Sequence, residues 1–244
     1  MKRNKAPDIY NISAENIIYG GELLQNVVIA IVKAAFRMGI VSEILKLGLL
    51  TPVFKNKGSN KCVVNYRGIT VTPVIQKIIE TVAKVRVKPY IREKQSKLQR
   101  GFTENSAPMN CSFFIEECAR EYRGLGKTLY VALLDAKSAF DVVTYSSISR
   151  KLFLTGIEGS TWKLIYDLHQ ETQSVIKWNR LISESFSITQ RVRQGGTLSA
   201  DLYKIYINNL LNQIENSGIG AKIGFVNCAA PTCADDVAIL CDSP

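Results

Sequence analysis

Two apolar stretches, each tied to an aspartate, constrain this sequence most. Thr128-Leu129-Tyr130-Val131-Ala132-Leu133-Leu134 is an almost wholly apolar run that closes on Asp135. Asp235-Asp236 stands between short apolar segments, with Val237-Ala238-Ile239-Leu240 behind it. The first run predicts a β-strand, and its unbroken apolar character predicts burial. Taken singly, each acidic site has an ordinary reading. Asp135 can be a turn residue, Asp141 the N-cap of a following helix, and Asp235-Asp236 the acidic tip of a solvent-facing hairpin. Taken together they say more. If the two strands are neighbours, their carboxylates converge, and clustered carboxylates repel unless a divalent cation neutralises them. Two Mg²⁺ ions held in this way can activate an attacking hydroxyl and stabilise a leaving pyrophosphate.

Around these sites the chain alternates between helical and extended patterns. Residues 14–48 read as helical, with Ile17, Leu23, Leu24, Val27, Val28 and Ile31 crowded enough to predict deep burial, and Gly39 and Gly48 as stops. Leu49 to Phe54 reads as a strand, and Lys55-Asn56-Lys57-Gly58-Ser59-Asn60 as a basic turn. The return runs from Val63 to Val71, which makes a hairpin with a positive tip. A basic helix follows Pro73 up to about Lys97. Later helices are expected over 145–154 and 160–170, short strands over 174–190, a loop at Gln194-Gly195-Gly196, and a helix with Leu198, Leu202, Ile205, Tyr206, Leu210 and Leu211 on one face. Ile223 to Val226 can be a strand. This mixed order argues for an α+β fold.

Charge points to a polyanionic partner. The net charge of the 244-residue chain is +10, and Lys46 to Arg100 holds 13 Lys/Arg against 2 Asp/Glu, an excess of 11 that leaves the rest near neutral. Such a block suits phosphates, because each contact releases condensed counterions. With 46% hydrophobic residues the chain can bury a sizeable core. No apolar run reaches the ~20 residues of a membrane span, and no signal-type apolar core follows the basic N-terminus. The chain is therefore expected to be intracellular, nuclear or cytoplasmic, and neither secreted nor membrane-bound. Six cysteines lack any C-x-x-C pair and His169 is the sole histidine, so six reduced thiols are expected rather than structural zinc.

A third constellation, Arg191-Val192-Arg193-Gln194-Gly195-Gly196-Thr197-Leu198-Ser199, combines donors with glycines that let a backbone approach a ligand. Its ordinary alternative is a loop leading into a helix, capped by Thr197 or Ser199. With this segment in view, the whole series resembles the reverse transcriptases. Asp135 with Phe140-Asp141 resembles their motif A; Arg193-Gln194-Gly195 with Leu198-Ser199 and the Leu202–Ile207 helix resembles motif B; Cys233-Ala234-Asp235-Asp236 resembles motif C. Phe54-Lys55-Asn56-Lys57-Gly58 and Asn65-Tyr66-Arg67-Gly68-Ile69-Thr70 are similar to the fingers motifs of non-LTR, LINE-like retroelement polymerases. Gln99-Arg100-Gly101-Phe102 is similar to the segment leading into the palm. Cys233 stands where motif C usually has an aromatic residue, and Thr197 and Ala200 stand where motif B usually has proline.

The resemblance implies a right-hand polymerase palm, an antiparallel sheet packed on helices, with a fingers subdomain and no thumb. Fingers and the start of the palm would occupy 1–127, and the palm with motifs A, B and C 128–244, ending just after motif C. It implies RNA-directed DNA polymerase activity, with an RNA template, a DNA primer and deoxynucleoside triphosphates as partners; it leaves protein partners unknown. Asp135, Asp235 and Asp236 would hold two Mg²⁺ ions, with Mn²⁺ a possible substitute. Lys55, Lys57, Arg67, Phe140, Gln194 and Gly195 would meet the nucleotide, Phe140 by blocking a ribose 2′-hydroxyl. Lys61 and Arg193 would meet nucleic acid, although Lys61 competes with Lys55 and Lys57 for the triphosphate. The alternatives are a catalytically inactive nucleic-acid-binding remnant and a group II intron-type maturase.

Overall fold

The long helical stretch at the N-terminus breaks where glycine permits it. The structure, a computed structural model, describes residues 3–136, 139–140, 143–188, 192–193 and 195–243. In chain order its elements are α1 (Ala14–Tyr19), α2 (Gly21–Met38), β1 (Leu47–Phe54), β2 (Tyr66–Val71), α3 (Val74–Lys94), α4 (Pro108–Gly124), β3 (Tyr130–Asp135), α5 (Tyr145–Leu154), α6 (Gly159–Asp167), β4 (Gln173–Trp178), β5 (Leu181–Ile182), β6 (Phe186–Ser187), α7 (Ser199–Asn216), β7 (Lys222–Ile223), β8 (Val226–Asn227), β9 (Thr232–Cys233) and β10 (Asp236–Cys241). Gly39, in the left-handed region at φ 70°, ends α2 by donating its N–H to the Ala35 carbonyl. The deep burial expected of α2 is not found: Val28, Ala35 and Phe36 are buried, but Leu23 is 81% exposed and Val27 49%. Crowded apolar residues exceed the one face that packing needs.

The chain divides into two units, Met1–Tyr90 with Phe140–Ser199, and Ile91–Ala139 with Ala200–Pro244. The chain therefore passes from one unit to the other more than once.

The first unit is built on a five-stranded mixed sheet of order β2-β1-β4-β5, with β6 also on β4. β1 runs antiparallel to β2, Leu49 opposite Val71 through Phe54 opposite Tyr66, and parallel to β4. The expected hairpin is present. Its tip closes through Lys55 N–H to the Asn65 carbonyl, and the Asn65 carboxamide donates to the Ser59 carbonyl at 2.8 Å.

The second unit holds a three-stranded sheet of order β3-β10-β9. Leu240 of β10 packs with Cys118 and Tyr122 of α4, and Val237 packs with Leu98 and Ala230. The helix α4 has no counterpart among the elements expected from the sequence. Pro108 opens it, and the Asn110 side chain accepts from the Ala107 N–H at 3.0 Å. The burial predicted for β3 is overturned: all six residues are exposed, Leu133 to 76%. Among the described residues β3 lies at the edge of its sheet. No helix among the described residues is long and apolar enough to cross a membrane.

His169, after α6, gives the first unit an acid-sensitive point. Its Nδ1 lies 2.8 Å from the Ile165 carbonyl, which only accepts, so Nδ1 carries the proton. The ring sits 5.3 Å from that of Tyr145. Burial, with Arg193 nearby adding to it, lowers the imidazole pKa to about 4, against the pull of the Ile165 bond. Because the folded value lies below the ordinary 6.5, the unfolded chain binds the proton more readily, and stability is lost as pH falls from 6.5 towards 4. Urea unfolding should therefore show the native chain losing roughly 2 kcal/mol more than His169→Gln between about pH 7.5 and pH 5. Parallel losses in the two proteins would rule His169 out as the sensor.

Candidate active site

The second unit brings three carboxylates to one end of its sheet. In the antiparallel ladder between β3 and β10, Asp236 is the direct partner of Asp135. Directly opposed side chains share a face with Cβ atoms about 4.5–5.5 Å apart, and like charges so placed repel. Cys233 pairs with Asp236 across the β9–β10 hairpin, leaving Ala234 and Asp235 as its two-residue turn. Ala234 takes φ 61°, a left-handed conformation that costs a non-glycine residue roughly 1–2 kcal/mol.

The electrostatics agree with this crowding. The Asp236 carboxyl is held above its ordinary range by partial burial, then by Asp235, then by Asp135. Burial and the charges of Asp235 and Asp236 push the Tyr203 phenol up to about 12. The Cys233 thiol is raised by burial and by the same two aspartates. Carboxylate oxygens are hard donors of the kind Mg²⁺ and Mn²⁺ take, and a cation would relieve the repulsion that raises Asp236. Among the described residues no group of three or more His, Cys, Asp or Glu side chains already stands in a metal-holding arrangement.

The first unit carries the basic hairpin and the glycine loop. Lys55, Lys57, Lys61 and Arg67 are all exposed. Lys55 donates to the Val64 carbonyl at 2.8 Å. Arg67 sits opposite Val53 in the ladder. Gly195 has φ 110°, and a Cβ there would lie 2.6 Å from the Thr70 carbonyl oxygen, so only glycine fits against β2. Phe140 is half-buried, and its carbonyl accepts from the Val192 N–H at 2.9 Å.

Arg193 is placed differently from the expectation that it meets nucleic acid. It is 4% exposed. Its guanidinium donates to the Lys46 carbonyl and to Gln76 Oε1 at 3.4 Å. Glu80, 5% exposed, completes this network. One carboxylate oxygen accepts from Gln76 Nε2 at 2.9 Å and the other from the Thr197 N–H at 2.6 Å, just ahead of α7. Burial raises the Glu80 pKa, while the Thr197 amide and the Arg193 charge oppose the rise. The Ser199 hydroxyl donates to the Arg193 carbonyl at 2.6 Å and ties the loop to the helix start. Arg193 and Glu80 thus shape the loop that presents Gly195.

The structure brings Asp135, Asp235 and Asp236 together, and it places Lys55, Lys57, Lys61 and Arg67 on one hairpin. Gln194 and Asp141 lie outside the described residues. Glu80 and Gln76 escaped the sequence reading, while Gln99 and Tyr203 entered it only as members of longer motifs, with no role of their own. Glu80 offered one signal, one of only two acids in a helix rich in lysine and arginine and the one set among apolar residues.

Comparison with known proteins fits this geometry. Residues 54–244 match the family described as reverse transcriptase (RNA-dependent DNA polymerase). The chain is similar to the Retrovirus-related Pol polyprotein from type-1 retrotransposable element R2 of Popillia japonica, 27% identical over 73% of this chain and 25% of that protein. It is also similar to the type-2 element R2DM polyprotein of Drosophila melanogaster, 24% identical over 73% of this chain and 17% of the relative. The Transposon TX1 uncharacterized 149 kDa protein of Xenopus laevis matches 98% of this chain and 18% of its own length at 21% identity. The chain thus spans a quarter or less of these relatives. Among solved structures, apo telomerase from Candida tropicalis truncated from its C-terminal domain shares the fold at TM-score 0.59 and 10% identity, covering 84% of this chain and 45% of that one. With the three carboxylates gathered at one sheet end and a family match over residues 54–244, the chain belongs to the reverse transcriptase (RNA-dependent DNA polymerase) family, with the kinship to non-LTR retrotransposon polyproteins that its fingers motifs led one to expect.

Proposed function

We propose that this chain carries out RNA-templated addition of deoxynucleotides to a DNA primer. The primer 3′-hydroxyl oxygen attacks the α-phosphorus in line and pyrophosphate leaves. The observation that carries this reading is the opposition of Asp135 and Asp236 across neighbouring strands, with Asp235 on the adjoining turn. Asp135, Asp235 and Asp236 would hold two divalent cations. When bound, Mg²⁺, or Mn²⁺ in its place, activates the attacking hydroxyl and offsets charge on the leaving group. Arg67 and the hairpin lysines contribute charge-assisted contacts to phosphate oxygens. Lys57, Lys61 and Arg67 have no side-chain partner among the described residues, whereas Lys55 already donates within the tip. This favours Lys57 and Lys61 over Lys55 as the freer cations. Gln194 and Gly195 line the nucleotide, and the Phe140 ring excludes a 2′-hydroxyl, to which it offers no acceptor equal to water. Arg193 acts by shaping the loop, without touching nucleic acid.

Primer extension by the purified chain on an RNA template tests this reading. Asp235→Asn should lower the rate by more than about 100-fold, beyond what removing a group that merely orients a ligand causes. In the same assay Phe140→Ala should admit ribonucleotides and keep deoxynucleotide use. Equal loss of both, with a stability cost of roughly 3–5 kcal/mol, would make Phe140 a packing residue only. Extension unaffected by Asp235→Asn would remove the catalytic assignment. Binding to an RNA–DNA duplex tests the basic hairpin separately. Reversing the charges of Lys55, Lys57 and Arg67 together should weaken binding and flatten its salt slope by about 0.7–0.9 for each phosphate no longer neutralised. An unchanged slope would reduce the hairpin to a solvated face.

A further inference from the structure

The turn that carries Asp235 depends on a side chain from a distant part of the second unit. Gln99 is 2% exposed. Its Oε1 accepts from the Ala234 N–H at 3.0 Å and from the Gly101 N–H at 2.7 Å. Its Nε2 donates to the Ala234 carbonyl at 3.1 Å. One carboxamide therefore grips both backbone groups of the residue that takes the left-handed conformation. The orientation of the amide is fixed, because an N–H requires the oxygen and a carbonyl requires the NH₂.

The grip is itself anchored. The segment runs beside β9, with Thr232 N–H donating to the Leu98 carbonyl at 2.9 Å and Arg100 N–H to the Thr232 carbonyl at 2.8 Å. The Gln99 carbonyl accepts from Gln95 Nε2 and from the Thr103 hydroxyl, each at 3.1 Å. Gly101 allows the close approach, since a Cβ there would lie 2.1 Å from the Ala234 nitrogen.

We infer that Gln99 is a positioning residue for the acidic turn: its carboxamide holds Ala234 left-handed and so sets the direction of Asp235 and the start of β10 at Asp236. A hairpin of two-residue turn usually selects glycine or asparagine where φ is positive. Here alanine stands in that place, and the double hydrogen bond from Gln99 offsets its strain. Gln99 touches no reacting group. It acts through Ala234 on the carboxylates, which makes this inference rest on the reading that they hold divalent cations.

The test compares the native chain with Gln99→Met, close in size and unable to form any of the three bonds, and with Gln99→Glu, which keeps both acceptor bonds but replaces the donation to the Ala234 carbonyl by a carboxylate oxygen facing it. Amide exchange followed by NMR reports the turn directly. Ala234 N–H should exchange at least about tenfold faster in Gln99→Met, with a smaller change in Gln99→Glu, while amides in α4 and the body of α7 keep their protection. Mn²⁺ titration followed by electron paramagnetic resonance should show affinity weaker by roughly 10–100-fold in Gln99→Met, the range for losing a group that orients a ligand. Native exchange at Ala234 in both variants would overturn the inference, and so would faster exchange with native Mn²⁺ affinity. Should Gln99→Met fail to fold, Gln99→Glu decides by the same two readouts. If the native chain itself takes up no Mn²⁺, the metal reading falls, and exchange alone decides whether Gln99 holds the turn.

Discussion

The opposition of Asp135 and Asp236 across the β3–β10 ladder is the constraint on which the rest of the structure turns. Two like charges placed face to face work against the fold that brings them there, and the Asp236 carboxyl is raised by its partial burial first, then by Asp235 and by Asp135. Apolar contacts hold the register against it. Val237 and Leu240 of β10, three residues apart and so on opposite faces of the strand, are each buried in a separate packed cluster, and a slip of one residue would exchange the two faces and misplace both. The acidic end is thus imposed by the core behind it, and cation binding there would draw on repulsion already present.

Around Glu80 the same tension between charge and burial takes another form. Of the two acids in the basic block from Lys46 to Arg100, Glu80 is buried and only Glu93 faces solvent. Lys46 of the same block is buried too, paired with Asp167 at 3.1 Å, so the exposed part of the block keeps the excess of positive charge that its composition gives. Glu80 is held inside by Gln76, the Thr197 amide and the Arg193 charge. Removing one partner from such a buried pair leaves an uncompensated charge, which costs far more than the pair contributes. This gives Arg193 its place in the loop.

Much of the fold could be read in the sequence because local chemistry marks it. The hairpin over β1 and β2 is announced by Gly58 and the polar turn around it, the stop of α2 by Gly39, and the α+β order by alternating apolar patterns. The carboxylate site was legible as two acidic strand ends in the right order. What could not be read depends on neighbours far away in the chain. An apolar run does not say whether another element covers it, which is why β3 and one face of α2 lack the burial their composition suggests. The partners of Glu80 and Gln99 lie 117 and 135 residues away, beyond the reach of any periodicity. The helix over Pro108–Gly124 is a different kind of miss, since Cys111, Ile115, Cys118 and Tyr122 do recur at helical spacing.

Anomalous diffraction from crystals of the chain soaked with Mn²⁺ tests the central claim most directly. A manganese peak within about 2.0–2.3 Å of oxygens from Asp135 and from Asp235 or Asp236, lost in Asp135→Asn, is the expected result. A fully occupied peak elsewhere in the molecule, with these three carboxylates left free at saturating Mn²⁺, would contradict it.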